Sequence, residues 1–301
     1  MIADSIIDLI GNTPMIKINN LTGENDAKLY AKLEWYNISG SVKDRMALYL
    51  LNNTKAKKEL GKGKTIIEAT SGNTGIALAM IAAAKGYKIT IVMPKSVSIE
   101  RRKIIRAYGA ELVLSSGEKG TGGAIELKQK MLKENPEKYF DVNQFKDSNN
   151  VLAHYETTGK EIIKQTKGNL DMFIVGIGTA GTGVGVSIRL KEFKSNVKIV
   201  GVTPRLGVKI QGLRNPKENN PTQLFKREYF DEIIEIDQDE VADIYGIARD
   251  AAKKEGLLIG ISSAALLYVA LKKASEIGKN KTIVVIFPDN GVKYLSTDLF
   301  E

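Results

Sequence analysis

Cysteine is absent from the 301 residues of this chain. That excludes a disulfide scaffold, a Cys-ligated zinc site and a thiol nucleophile. Histidine occurs once, as His154, so a multi-histidine metal centre or a helical H-E-x-x-H hydrolase cannot be built. Long apolar runs are missing as well. The longest, Gly75 to Ala84, is about half of the ~20 residues a spanning helix needs. The start, Met1-Ile2-Ala3-Asp4, sets no basic region before an apolar stretch and does not read as a signal peptide. A cytoplasmic protein with no membrane contact is expected. Acidic residues are the minority, 35 against 44 Lys and Arg, and the formal charge of +9 admits anionic ligands. The densest basic run is Lys55, Lys57, Lys58, Lys62 and Lys64, at what reads as a helix end followed by a turn. It has no interleaved aromatic residue to stack on bases, so a solvated surface is expected and no nucleic acid.

An apolar content of 43% supports a packed core and excludes disorder as the main state. The length sets an expectation of two domains or lobes. Strand and helix patterns alternate almost throughout. Leu29, Ala31 and Leu33 alternate with polar neighbours as in a strand, and Met46 to Leu51 reads as helix. Strands at 65–67, 89–92 and 112–114 are followed by helices at 74–84, 99–108 and 123–133. The order repeats with a helix at 150–165, strand 172–175, helix 184–193, strand 197–202, helix 263–277 and strand 283–287. Such alternation means an α/β fold of mostly parallel twisted sheets flanked by helices. Ligands of such sheets bind in loops at the carboxyl ends of strands. The stretch Gln211 to Tyr229 is long, polar and aperiodic, which suits a functional loop.

Four loops are candidates. In Ser39-Gly40-Ser41-Val42-Lys43-Asp44-Arg45, Ser41 and Asp44 have capping-box spacing that starts a helix at Val42. Lys43 then stands at the positive end of the helix dipole, which favours a neutral, nucleophilic amine suited to Schiff-base chemistry. A surface lysine at a helix start fits the same letters. Thr70-Ser71-Gly72-Asn73-Thr74-Gly75 lies between a strand and an Ala-rich helix, and suits either an anion cradle or an ordinary turn. Gly176 to Gly183 contains Gly176-x-Gly178-x-x-Gly181, the dinucleotide fingerprint. The next strand, however, ends in Thr203-Pro204, without the acid that would hold a ribose. A phosphate held by Thr179, Thr182 and free backbone N–H groups survives that objection. A Walker loop is excluded, because Lys58 stands where its leading glycine should be. Ser262, in Gly260-Ile261-Ser262-Ser263, opens a helix and either donates a hydrogen bond or caps it. A phosphate cradle, a carboxylate cradle and a lysine at a helix start are together the parts of a pyridoxal phosphate enzyme acting on an amino acid.

These motifs, with Ile10-Gly11-Asn12-Thr13-Pro14, Gln144-Phe145, His154-Tyr155-Glu156-Thr157-Thr158-Gly159 and Tyr294-Leu295-Ser296-Thr297, resemble the cysteine synthase (O-acetylserine sulfhydrylase) family in order over nearly the whole chain. The resemblance implies fold type II of the pyridoxal phosphate enzymes, the tryptophan synthase β-like architecture. It implies a small lobe at 39–143 and a large lobe of 1–38 plus 144–301. It also implies a homodimer, with a serine acetyltransferase as a possible partner. Lys43 is then the Schiff-base lysine and general base, and Asn73 binds the cofactor's ring oxygen. Thr70, Ser71, Asn73, Thr74 and Gln144 hold the substrate carboxylate. Gly178, Thr179, Ala180, Gly181 and Thr182 hold the phosphate, and Ser262 meets the pyridine nitrogen. The reaction implied is β-replacement on O-acetylserine or O-phosphoserine by sulfide, giving L-cysteine through an α-aminoacrylate. His154 takes no part in that chemistry and is expected to be structural.

The chain departs from the family pattern in four places. Ile38 replaces a usual proline, and Asp147-Ser148-Asn149-Asn150 replaces Asn-Pro-Ala-Asn. Ala180 replaces a glycine, and its methyl is tolerable only if φ there is not positive. The loop Gln211 to Pro216 lacks Gly-Phe-x-Pro and looks more like the B-type and O-phosphoserine-using synthases. Arg214 is the candidate there to face the leaving group, unless it is merely an arginine on a mobile loop. The end at Glu301 argues against a full-length cystathionine β-synthase. Val42 and Thr74 argue against threonine dehydratases and serine racemases. A cysteine-consuming lyase that releases hydrogen sulfide is the second reading; a dehydrogenase and a non-enzymatic binding module are the remaining ones.

Overall fold

The computed structural model describes residues 2–218 and 221–301. Strands β1 (Met15–Ile18) and β2 (Lys28–Leu33) lead to helices α1 (Lys43–Asn52) and α2 (Thr54–Gly61). A run of β3 (Thr65–Ala69), α3 (Asn73–Lys85), β4 (Ile89–Pro94), α4 (Ile99–Ala107), β5 (Glu111–Ser115), α5 (Gly120–Glu134) and β6 (Tyr139–Asp141) follows. Then come α6 (Asn149–Ala153), α7 (Gly159–Thr166), β7 (Met172–Gly176), α8 (Gly181–Phe193) and β8 (Lys198–Pro204). The chain closes with β9 (Glu232–Ile236), α9 (Val241–Asp250), α10 (Ile261–Ile277) and β10 (Thr282–Phe287).

Two sheets result. One has the order β5-β4-β3-β6 and is parallel throughout. The other has the order β1-β2-β10-β7-β8-β9 and is parallel except for the edge pair β1–β2. The α/β architecture with two mostly parallel sheets is therefore the one expected. Strand β4, Ile-Thr-Ile-Val-Met-Pro, is buried along its whole length, as befits a parallel strand covered on both faces. Helix α3 is buried from Thr74 to Ala82, which explains its unbroken apolar run. Among the described residues no helix is long and apolar enough to cross a membrane. The basic run lies largely on α2, a short helix of its own rather than a helix end. Ala56 and Leu60 face inward while Lys55, Lys57 and Lys58 are exposed.

Helices α6 and α7 are joined through a π turn, His154 to Thr158, so the expected single helix contains a wide turn. π turns of this kind are frequent at functional sites. Gly185 on α8 lets the helices touch: a Cβ there would stand 2.3 Å from the Val151 carbonyl oxygen.

A buried charge cluster joins the two sheets' elements. Arg45 on α1 reaches Glu34 beyond β2 through Nε (2.7 Å) and Nη2 (2.9 Å). It reaches Glu161 on α7 through Nη1 (2.6 Å) and Nη2 (2.8 Å). Lys32 donates to Glu161 (2.6 Å), to the Thr13 carbonyl (2.6 Å) and to Gln165 (3.0 Å). The Gly11-Asn12-Thr13 motif wraps this cluster: Asn12 N–H donates to Glu161 and the Thr13 hydroxyl to Glu34. Two cations and two carboxylates cancel, which is the condition for charges to sit out of water. Burial would raise the Glu161 pKa, yet Arg45 and Lys32 hold it down at about 2.

A depressed carboxylate contributes stability above its unfolded value, and that contribution is lost as pH falls toward the folded value. Glu161→Gln should lower unfolding free energy by about 3 kcal/mol at pH 7. The gap should shrink between pH 4.5 and 2, as read by urea unfolding. A gap independent of pH would show that the charge contributes nothing.

Candidate active site

Helix α1 starts at Lys43, one residue after the expected Val42, which is its N-cap, and only half of the expected capping box forms. The Ser41 hydroxyl oxygen accepts from the Lys43 N–H (3.3 Å), while the Asp44 carboxylate accepts from the Ser39 N–H (2.7 Å) and the Ser39 hydroxyl. Ser41 thus keeps its half of the expected box, while Asp44 turns to Ser39 instead of reaching back to Ser41. Burial pushes Asp44 up to about 6 against those two donors. The Val42 N–H donates to the Pro288 carbonyl, and Ser41 bridges Asp289, so the lysine loop is pinned to the end of β10. Burial also pushes the Lys43 amine below the ordinary lysine value, with Asp289 and Glu34 opposing. Withdrawal from water, more than the helix dipole, is the leading cause.

The Thr70–Gly75 loop follows β3. Ser71 is exposed, Thr70 and Thr74 are buried, and Asn73 opens α3. The Thr74 hydroxyl donates to Gln144 Oε1 at 2.7 Å, so residues 70 apart share one patch. The Gln144 N–H donates to the buried Glu68 carboxylate (3.1 Å). Asn73 Nδ2 donates to Asp289 Oδ2 (2.7 Å), which also accepts from the Tyr294 hydroxyl (2.9 Å). Arg101 of α4 stands beside Gly72, lies 4.7 Å from the Tyr294 ring centroid and donates to Gln211 (2.9 Å).

The third loop turns from β7 into α8. Among the described residues nothing accepts a hydrogen bond from the N–H groups of Gly178, Thr179 or Ala180. Three such donors beside a helix N-terminus form an anion cradle. Ala180 corrects an expectation: its φ is +69, the left-handed region its methyl was expected to avoid. That conformation costs about 1–2 kcal/mol in an L-residue. Burial of the methyl in the cluster of Val184 and Phe230 offsets it. Asn150 Nδ2 donates to the Gln144 carbonyl (2.9 Å) and to Thr179 Oγ1 (3.0 Å), tying the two cradles together. A Cβ on Gly181 would stand 2.0 Å from Asn150 Oδ1.

His154 is not merely a helix residue. Its Nδ1 meets Thr158 Oγ1 at 2.9 Å and its Nε2 meets Thr182 Oγ1 at 3.1 Å. Burial, helped by the charges of Arg45 and Lys43, holds its pKa well below 6.5, so the ring is neutral. If Nε2 carries the proton and donates to Thr182, the threonine hydroxyl keeps its own proton for an anion in the cradle.

The long polar loop covers this turn. A Cβ on Gly178 would meet the Gly212 carbonyl at 2.8 Å, and Gly212, at φ +95, lies over Ser262. Thr222 donates to the Thr179 carbonyl (2.7 Å). Arg214 donates through Nε to Glu218 (3.2 Å), and its guanidinium lies 5.1 Å from the Phe145 ring centroid. The Lys43 loop, Asn73, Thr74, Gln144, Thr179, Gly178 and Ser262 thus lie along one chain of contacts that includes the loop carrying Arg214, while Ser71 stands exposed at its edge. Asp289, Lys293 and Asn150 went unnoticed in the sequence as site residues. Asn150 stood within a departing motif, and Asp289 and Lys293 stood just ahead of the last motif; nothing local marked their reach.

The geometry fits pyridoxal phosphate. The orphaned N–H groups suit its phosphate, and a lysine amine pushed toward neutrality suits its aldehyde. Among the described residues no group of three or more His, Asp or Glu could hold a metal ion. The family model described as pyridoxal-phosphate dependent enzyme matches residues 6–289. A cysteine synthase of Staphylococcus aureus (strain N315) is 42% identical, over 99% of this chain and 97% of its own. The cysteine synthase B of Pseudomonas aeruginosa is also 42% identical, over 99% and 97%. Among solved structures, a hydrogen sulfide-producing enzyme of Fusobacterium nucleatum superposes with a TM-score of 0.90 at 42% identity, covering 98% of this chain and all of that one. An O-ureido-L-serine synthase superposes at 0.91 with 36% identity, covering 100% and 96%.

Gly181→Ala must displace Asn150, and overpacking of this kind costs about 1–3 kcal/mol. Its pyridoxal phosphate affinity should fall by about tenfold or more in a fluorescence titration. Gly246→Ala, on α9 with open space around it, should bind normally. Equal affinities for the two variants would show that the Asn150 contact does not shape the cradle.

Proposed function

Since this chain belongs to the family of pyridoxal-phosphate dependent enzymes, among relatives that are cysteine synthases, we propose that it replaces the β-substituent of O-acetylserine or O-phosphoserine by sulfide to give L-cysteine. One observation carries the reading: a buried amine of lowered pKa opens a helix whose loop is pinned beside Asn73, and Asn73 shares a contact chain with a turn of unpaired N–H groups. Bound there, pyridoxal phosphate supplies an electron sink for the bonds at the substrate's Cα.

The chain's own residues do the rest. Gly178, Thr179, Ala180, Gly181 and Thr182 hold the phosphate. Ser262 meets the ring nitrogen with a hydroxyl rather than a carboxylate, which leaves the sink weak and favours direct loss of a β-leaving group. Thr70, Ser71, Asn73, Thr74 and Gln144 hold the substrate carboxylate. Lys43, once displaced by the substrate amine, removes the α-proton as general base and later returns it. Sulfide adds at the carbon the leaving group vacates. Arg214 is proposed to face that group. Its stacking beside Phe145, next to Gln144, supports a place at the rim of the carboxylate cradle. The division into lobes at 39–143 and at 1–38 with 144–301 is supported by β3–β6 forming a sheet apart from the other six strands. The homodimer, the serine acetyltransferase partner and the cytoplasmic location rest on the family resemblance.

A second reading has one observation in its favour, the likeness to the hydrogen sulfide-producing enzyme. The same parts would then remove sulfide from L-cysteine. Comparing kcat/KM for cysteine breakdown with that for synthesis from each activated serine decides between them. We expect synthesis to have the larger value; a much larger value for breakdown would overturn it. Lys43→Ala should lower turnover in either direction by about 10³-fold or more while the protein still folds. Normal turnover in that variant would remove Lys43 from the mechanism.

A further inference from the structure

Lys293 stands on the short turn Gly291–Tyr294 that follows β10, and it is only 7% exposed. Its Nζ donates to the Ser39 carbonyl (3.1 Å), the Gly40 carbonyl (3.0 Å) and Asn73 Oδ1 (3.0 Å). All three ammonium protons are therefore spent on neutral oxygens. Among the described residues it forms no ion pair. Burying an ammonium that way is costly. Burial pushes its amine below the ordinary lysine value and Asp289 and Asp44 oppose this from beyond ion-pair distance; three accepting oxygens require all three N–H donors of the ammonium form.

The three oxygens belong to two parts of the site that are far apart in sequence. Ser39 and Gly40 lead into Lys43, while Asn73 opens α3. Asn73 is held from both ends, since its Nδ2 donates to Asp289 while its Oδ1 accepts from Lys293. A flipped amide would turn NH2 toward the ammonium and C=O toward the carboxylate, two repulsions in place of two hydrogen bonds. The pair of charges thus fixes which end of the amide is which, and leaves Asn73 one N–H to give. The Gly40 backbone comes close enough that a Cβ there would stand 3.3 Å from Lys293 Nζ.

We propose that Lys293 is a positioning residue for the cofactor: it locks the Asn73 amide so that its remaining N–H serves the cofactor's ring oxygen, and its positive charge favours the anionic form of that oxygen. The inference rests on pyridoxal phosphate being held by Lys43. With the ring oxygen anionic, the proton resides on the imine nitrogen, and that tautomer absorbs in the violet. Without the cation the proton moves back to the oxygen and absorption shifts to the near ultraviolet. One proton changes place and none is gained or lost.

The test is the resting absorbance spectrum and the cofactor affinity of Lys293→Met, Lys293→Gln and Lys293→Arg as holoproteins, with no substrate present. Met and Gln should move intensity from the violet band to the near-ultraviolet band and weaken cofactor binding by about tenfold or more. Arg should restore most of both. Wild-type spectra and affinities in Met and Gln would overturn the proposal. So would a Gln variant whose cofactor-free form loses as much stability as the holo form, because Lys293 would then be only a brace. If Met fails to fold, the contrast between Gln and Arg decides. A wild-type protein that takes up pyridoxal phosphate without a violet band would instead refute the Lys43 assignment on which this one stands.

Discussion

Arg45 grips two carboxylates at once, and the position of the Lys43 amine follows from that grip. The guanidinium sits two residues after Lys43 on the same helix and makes paired contacts to Glu34 and to Glu161. One carboxylate lies beyond a strand of the six-stranded sheet and the other on the helix leading to it. A planar fork with fixed donors sets angle as well as distance, which a lysine in its place could not do. With Lys32 added the four charges sum to zero, so the cluster can remain dry. The first turn of α1 is thereby held against elements of the large sheet, which carries the turn of unpaired N–H groups at the end of β7. Amine and cradle keep their spacing because each is fastened to the same frame.

The site's own charge balance is different in kind. Lys43 and Lys293 are withdrawn from water without a carboxylate in contact, and Arg101 is 4% exposed with no ion pair among the described residues. Asp289 answers part of this charge and is itself shared between Asn73 and Tyr294. A dianionic phosphate and a substrate carboxylate would enter a region of positive potential built in advance. The net basic composition hinted at anions in general; the structure places the buried Lys293 and Arg101 around an amine, Lys43, that burial pushes toward neutrality.

Local chemistry was legible in the sequence because it is local. A glycine-and-threonine turn after an apolar strand, or a lysine after Ser-Val, keeps its meaning whatever lies around it, and these loops do fall at strand ends. What the sequence concealed depends on contacts across space. Ser39 rather than Ser41 meets Asp44, because the chain turns at Gly40 in a way the spacing rule does not encode. Ala180 adopts a positive φ because tertiary packing outweighs its intrinsic preference. Lys293 and Asp289 act on Asn73 from more than 200 residues away. His154 sits in helical surroundings and reads as core, yet the π turn aims it at Thr182. Strands β1 and β9 escaped notice because edge strands are half exposed and lack the apolar run that marks β3 and β4.

The order of strands in the larger sheet has a consequence for biosynthesis. Strand β10 is the last to be made, yet it lies between β2 and β7, near the middle of that sheet. Until β10 is in place, β2 and β7 lack their common neighbour. The half-finished polypeptide can hold neither the lysine loop against Pro288 nor Asn73 against Asp289. A chain in which β10 has not yet paired therefore carries an incomplete centre, in which the lysine loop and Asn73 lack their common support.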